Sequence, residues 1–246
     1  MNLHDIFEGI SIQGNDVKFD YTSQTGVSTK MGKKEFTPYA RKDKSVNGYT
    51  IYSVYSSDDE FLTDVLLAVK KKSAAQMDPA EYQKFITRTA IFISAKILVP
   101  NNVDILVTPK SSTNILNDLI VLIKARNPHI EFLPESFVKT ADISKIAVDY
   151  NNPALTDKIA EKLEGIVRAA NKTGKFEIKK ALPQYRKFFK NFFEIVDPKL
   201  IQKFDNKNVC VLDDVLASGT TLVQIISSVA DYNPNNVFGV TLFKTK

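Results

Sequence analysis

The sequence has one cysteine, Cys210, in 246 residues. An intramolecular disulfide is therefore impossible, and a reducing, cytoplasmic compartment is the expectation. Cys210 sits in an apolar, strand-like run and reads as a small core residue. Histidines number two, His4 and His129. With a single thiol they cannot assemble a zinc-type ligand set, so any metal should be a hard ion bound by oxygen. No apolar run approaches the ~20 residues that cross a bilayer. The first residues carry an early acid and no apolar segment, so no secretory leader is expected. Internal repeats and low-complexity tracts are also missing.

What is present has a globular balance, 43% hydrophobic and 25% charged. The length suits one sizeable α/β domain with elaborations, or a domain plus a small appendage. A net charge of +5 permits nucleic acid as a partner and equally suits a ligand rich in phosphate.

Residues 1–56 are rich in Gly, Thr, Ser, Lys and Tyr, and contain the alternating stretches Val17-Lys-Phe-Asp-Tyr21 and Tyr49-Thr-Ile-Tyr-Ser-Val-Tyr55. Alternation of period two predicts β hairpins, with the basic stretch 32–44 as a loop between them. From Ser57 helices and strands alternate. Ser57-Asp-Asp-Glu60 has the form of a capping box ahead of a helix, and Asp78-Pro-Ala-Glu81 opens a second helix that Pro100 ends. Strands are expected at 104–109, 130–133, 208–213 and 237–243. Further helices are expected around Ile115 to Ile123, from Pro153 to about Ala170, from Pro183 to about Val196, and from Ser218 to about Ala230. Such alternation implies an α/β fold with a parallel sheet covered by helices on both faces. Ligands of such sheets bind beyond the carboxyl ends of the strands, which directs attention to 109–113, 139–141 and 213–221.

The third of these regions reads Val209-Cys-Val-Leu-Asp-Asp-Val-Leu-Ala-Ser-Gly-Thr-Thr221. Four apolar residues make a strand, two adjacent acids follow, then a loop of small residues leads into an apolar-periodic helix. Strand, small-residue loop and helix start form an anion site, because backbone amides and the helix dipole both favour negative charge. Gly219 permits close backbone approach. Ser218, Thr220 and Thr221 add hydroxyl donors. The adjacent acids, Asp213 and Asp214, would repel a phosphate, so sugar hydroxyls or a metal held with them are their natural partners.

The thirteen-residue segment resembles the signature of type I phosphoribosyltransferases, which bind 5-phosphoribosyl 1-pyrophosphate (PRPP). All thirteen positions fit the pattern. The resemblance implies a type I phosphoribosyltransferase-like core over 57–246, with residues 1–56 as a β-rich hood. It implies that Asp213 and Asp214 hold the ribose 2′ and 3′ hydroxyls, and a magnesium ion indirectly through PRPP. It also implies that Ala217, Ser218, Gly219, Thr220 and Thr221 cradle the 5′-phosphate. Upstream, Val107-Thr-Pro-Lys-Ser-Ser-Thr113 falls where that family has its pyrophosphate loop, which often holds a non-proline cis peptide. Lys110, Ser111 and Ser112 would supply its donors, although Lys and Ser replace some of the family's small residues.

The wider pattern is similar to the ComF-like, competence-associated branch, through Leu66-Leu-Ala-Val-Lys-Lys-Lys72 and Arg186-Lys-Phe-Phe-Lys-Asn-Phe-Phe193. The branch's cysteine zinc module is missing, and residues 144–180 have the character of an insertion. In the family a mobile loop brings a basic residue over the pyrophosphate. The corresponding interval here is 139–184, and the clusters Lys70–Lys72, Lys139, Lys179, Lys180, Arg186, Lys187 and Lys190 offer cations, most of them expected on solvated helix faces. The hood that selects the nucleophile would come from the N-terminal residues, where Tyr49, Tyr52 and Tyr55 could stack on a base or pack in the core.

Three functions follow as expectations. The first is transfer of 5-phosphoribosyl from PRPP to a nitrogen acceptor of the nucleobase kind, with magnesium and release of pyrophosphate. The second is a PRPP- or nucleotide-binding regulator without turnover. The third is a ComF-like nucleic-acid-associated protein. A homodimer is compatible with each.

Overall fold

The computed structural model describes residues 9–13, 16–20, 28–29, 32–33, 41–46, 49–56, 69, 76–111, 114–152, 154–216 and 219–244. Its centre is a seven-stranded sheet. In chain order the strands are β1 (Arg41–Val46), β2 (Tyr49–Ser56), β3 (Ile105–Pro109), β4 (Glu131–Lys139), β5 (Phe193–Ile195), β6 (Asn208–Leu216) and β7 (Asn236–Lys244). The spatial order is β5-β4-β3-β6-β7-β2-β1. The five inner strands are mutually parallel, and the outer strands β5 and β1 run antiparallel to their neighbours. The protein is thus α/β with a mostly parallel sheet flanked by helices, as the alternation of elements implies.

The apolar runs of the inner strands are continuous because both faces are covered. Val209, Cys210, Val211 and Leu212 of β6 are all inaccessible to solvent. Cys210 and Leu212 pack with helices α1 (Pro79–Ile93) and α2 (Ile115–Arg126). Val209 and Val211 pack on the other side with helices α3 (Asp157–Thr173) and α4 (Thr220–Ala230) and a set of phenylalanines. Gly239 in β7 lets α4 lie close. A Cβ there would meet Leu222 Cδ2 at 2.9 Å and Ile226 Cδ1 at 3.1 Å.

α1 starts as its sequence dictates. The Asp78 side chain accepts from the Ala80 amide at 2.8 Å, and Pro79 occupies the first turn, where a missing N–H costs nothing. The helix widens into a π-turn at Ser94–Leu98 before Pro100. No helix among the described residues is long and apolar enough to cross a membrane.

Several expectations change. The helix expected between Pro183 and Val196 is instead a 3-10 segment, Pro183–Phe188, followed by two short strands, Phe189–Lys190 and Phe193–Ile195. Phe188, Phe189, Phe192 and Phe193 are all buried, and Asn191 between the pairs has φ 58°. Paired aromatics that must each find a partner favour extended backbone over a one-faced helix. The helix expected from Pro153 begins at Asp157. The stretch 32–44 is not all loop. Gly32–Lys33 pairs with Ser28–Thr29, and residues from Arg41 form the edge strand β1.

The hairpin expected around Tyr49 is present as β1–β2, but β2 also pairs in parallel with β7. Residues 41–46 and 49–56 therefore belong to the central sheet, and the change of pattern at Ser57 is not where that sheet begins. The other expected hairpin joins Gly9–Gln13 to Asp16–Asp20. The capping box at 57–60 and the Leu66 to Lys72 match lie outside the described residues, Val69 excepted.

Candidate active site

Because the five inner strands are parallel, their carboxyl ends share one edge of the sheet. β6 lies at its centre, between β3 and β7. Val211 is level with Val107 of β3, and Asp213 with Thr241 of β7, which is level in turn with Ser53 of β2. Ser53, Thr241 and Asp213 thus form a polar row across three neighbouring strands. The Thr241 hydroxyl donates to Ser53 Oγ at 3.2 Å, and both residues are wholly buried. Thr241 follows Gly239 by two residues, so the row lies on the face covered by α4.

α4 begins beside this row. Gly219 caps it with φ 71°, a conformation that penalises any residue with a Cβ, and its carbonyl accepts from the Val223 amide at 2.9 Å. Thr220 is buried and Thr221 half-buried. A first helical turn presents amides without intrahelical acceptors and the positive end of the dipole. A carboxylate at the strand end and an anion-favouring helix start are therefore neighbours.

The two acids are not equivalent. Asp213 is 9% exposed and faces the α4 side, while Asp214 is half-buried on the opposite side of the strand. The Asp214 amide donates to Asp213 Oδ1 at 2.8 Å, which fixes the orientation of the first carboxylate. β6 runs on to Leu216, so the acids lie within the strand's last turn of pleat and not beyond it. Ala217 and Ser218 lie outside the described residues.

On the neighbouring strand, Lys110 is exposed and Ser111 half-buried directly after β3. The Lys110 amide donates to the Phe137 carbonyl of β4 at 2.7 Å. Ser112 and Thr113 lie outside the described residues, which contain no cis peptide bond. No family model matches this chain. No curated protein matches it either. The site must therefore be judged on its own chemistry.

Residues 139–141 reach the same edge, joined to α4 by a short turn. Thr140 Oγ1 donates to the Asn191 carbonyl at 2.5 Å, and the Phe192 amide donates to Gln224 Oε1 on α4 at 3.0 Å. Gln224 Nε2 donates in turn to the Phe189 carbonyl. Lys139 Nζ lies 5.7 Å from the centre of the Phe192 ring. Other cations have local partners: Lys190 pairs with Asp149 at 2.8 Å, Lys180 with Glu177 at 2.8 Å, and Arg186 Nε donates to the Ala181 carbonyl at 3.1 Å. The interval 139–184 holds α3 and half of the strand pair Ala147–Val148 with Phe189–Lys190, so it is built around packed elements. Lys70, Lys71 and Lys72, and the side chains of Lys179 and Lys187, lie outside the description.

The tyrosines of β2 are committed to packing. Tyr55 is buried, shares a 2.7 Å hydrogen bond with Thr89 Oγ1, and lies among Phe85 and Phe243. Tyr52 meets Phe238 edge-on, and Tyr49 Oη accepts from Ser227 Oγ at 3.3 Å. Burial pushes the Cys210 thiol up, consistent with an inert core residue. Among the described residues no three His, Cys, Asp or Glu side chains converge on a metal-sized space.

Sequence reasoning did not single out Ser53 or Thr241. Thr241 carried a signal as the lone hydroxyl of β7, since a polar group in a buried strand needs a partner, whereas Ser53 shares β2 with Thr50, Ser56 and three tyrosines and does not stand out.

Proposed function

We propose that this protein is a PRPP-dependent phosphoribosyltransferase that delivers 5-phosphoribosyl to a nitrogen acceptor, of the nucleobase kind, and releases pyrophosphate. The observation that carries this reading is the position of Asp213: a buried carboxylate at the carboxyl edge of the central strand, beside the start of α4. A ligand that bears vicinal hydroxyls next to a phosphate matches that pair of features.

In this reading Asp213 and Asp214 accept from the ribose hydroxyls, and residues 217–221 surround the 5′-phosphate. Lys110, Ser111 and Ser112 meet the pyrophosphate after β3. Magnesium fits a set of hard oxygen donors, and it would be held mainly by PRPP oxygens with the Asp213 and Asp214 carboxylates close by; when bound it would neutralise charge on the leaving pyrophosphate. The C1′–oxygen bond to pyrophosphate breaks as positive charge builds on the ribose ring. The acceptor nitrogen then bonds to C1′ and loses its proton. The chain's own part is positioning and charge stabilisation, not a covalent intermediate.

The deciding experiment is a calorimetric titration of PRPP with magnesium into the wild type and into Asp213→Asn/Asp214→Asn. The expected result is wild-type binding that the double variant loses. A screen of bases for pyrophosphate release then separates an enzyme from a PRPP-binding regulator. Absence of wild-type binding at millimolar PRPP, together with a salt-sensitive shift of DNA, would replace the proposal with a nucleic-acid role.

A further inference from the structure

Thr108 is the last residue but one of β3, and it is 1% exposed. A buried hydroxyl in a strand whose other members are all apolar or proline needs a reason. Its neighbour β4 supplies one. Val107 is level with Leu133, yet Pro109 is level with Phe137. Two steps along β3 thus match four along β4, so β4 carries two extra residues in a bulge. Such insertions interrupt the ladder and leave backbone groups to be paired in some other way. Here the Glu135 amide donates to Thr108 Oγ1 at 2.9 Å, so the threonine hydroxyl replaces a missing ladder carbonyl. The Ser136 hydroxyl donates to the Leu133 carbonyl at 2.8 Å and closes the bulge on itself. Glu135 is held at φ 51°, a region that disfavours a residue with a Cβ.

The ladder resumes directly past the bulge, where the Lys110 amide donates to the Phe137 carbonyl at 2.7 Å. Thr108 therefore lies between two strand contacts that together set the direction in which Lys110 and Ser111 leave the sheet. Bulges beside sites commonly re-aim the chain in this way.

We infer that Thr108 is a positioning residue for the anion-binding segment after β3, acting through the β4 bulge. This rests on the PRPP reading above for the identity of the anion, a pyrophosphate group. The consequence is a division of labour. Thr108 governs the pyrophosphate arm of the ligand, and the α4 start governs the 5′-phosphate arm independently.

The test uses the full chain with Thr108→Val, which keeps the shape and removes the hydroxyl, and Thr108→Ser, which keeps the hydroxyl. Affinities for PRPP and for ribose 5-phosphate are measured with magnesium, alongside hydrogen exchange at the Lys110 amide. Thr108→Val should lower PRPP affinity by about tenfold, the scale of one lost hydrogen bond, with ribose 5-phosphate unchanged and Lys110 exchange faster. Thr108→Ser should restore all three. Unchanged PRPP affinity in Thr108→Val, parallel weakening of both ligands, or failure of serine to rescue would overturn the inference. If the wild type binds neither ligand, the PRPP reading falls and the exchange rate alone decides: acceleration upholds the clamp, and no change removes it.

Discussion

The two ends of the central sheet treat polar groups in opposite ways. At the amino edge, asparagines close the turns that feed the strands. Asn102, Asn206 and Asn233 sit at φ 47°, 55° and 54°, conformations that asparagine tolerates better than other residues with a Cβ. Their neighbours satisfy one another: Asn208 Nδ2 donates to the Asn102 carbonyl at 2.9 Å, Asn235 Nδ2 to Asn208 Oδ1 at 2.8 Å, and Asn233 Nδ2 to Asp205 Oδ1 at 2.9 Å. These groups lie at the surface, where water would serve nearly as well. At the carboxyl edge the polar side chains are buried within the strands, as Ser53, Thr108, Thr241 and Asp213 show. Desolvating such groups is costly unless they are hydrogen-bonded, as Thr241 is to Ser53, Thr108 to the Glu135 amide and Asp213 to the Asp214 amide. One edge is therefore finished by turn chemistry at the surface, and the other by hydrogen bonds made inside the sheet.

Substitutions can break this contrast or sharpen it. The largest effect is expected from Asp213→Asn/Asp214→Asn, which should weaken PRPP on the order of a hundredfold by calorimetry. Asn208→Ala at the opposite edge should leave that affinity untouched. Next comes Gly239→Val, which drives a branched side chain into Leu222 and Ile226 and should cost about 3 kcal/mol of stability by urea unfolding. Thr241→Val keeps the volume but leaves Ser53 without its donor. It should cost about 1 kcal/mol, and Ser53→Ala should recover part of that in a double-mutant cycle. Glu135→Gly relieves the left-handed backbone and should raise stability by up to ~1 kcal/mol, measured the same way. The smallest response is that of Cys210. With its thiol held neutral by burial, native protein should resist alkylation even near pH about 9 and react only on unfolding, read by mass spectrometry.

Much of the frame was legible in the sequence because the strongest local signals agree with the packing. The run from Val209 to Leu212 could only be an inner strand, and Asp78-Pro-Ala-Glu81 could hardly be other than a helix start. The anion-favouring start of α4 and the acids ahead of it were legible for the same reason, since Gly219 and the paired aspartates are informative without tertiary context. What escaped was decided by partners far away in sequence. The strand expected at 130–133 stops at Leu133, yet β4 continues to Lys139 through a bulge that Thr108 makes tolerable. The phenylalanine pairs at 188–193 fit either period until α4 and the end of β4 are in place around them. Tyr49 to Tyr55 alternates like a hairpin strand and is instead an inner strand, because β7 arrives from the other end of the chain; Ile51 and Val54 are fully buried while Tyr49 and Tyr52 stay half-buried.

That last arrangement has a consequence for how the molecule is made. β2 has two neighbours, β1 and β7, and Thr241 meets Ser53 across 188 positions of sequence. During synthesis the β1–β2 hairpin must wait until residues 236–244 emerge before its inner edge is covered. At ~5–20 residues per second the wait is on the order of ten seconds or more. For that interval a strand rich in tyrosine, isoleucine and valine, with no charge between Tyr49 and Ser56, presents an unpaired edge to any other nascent chain. Closure of the sheet is then a late, long-range event, and yield in the cell should depend on how well that edge is shielded until the last strand docks.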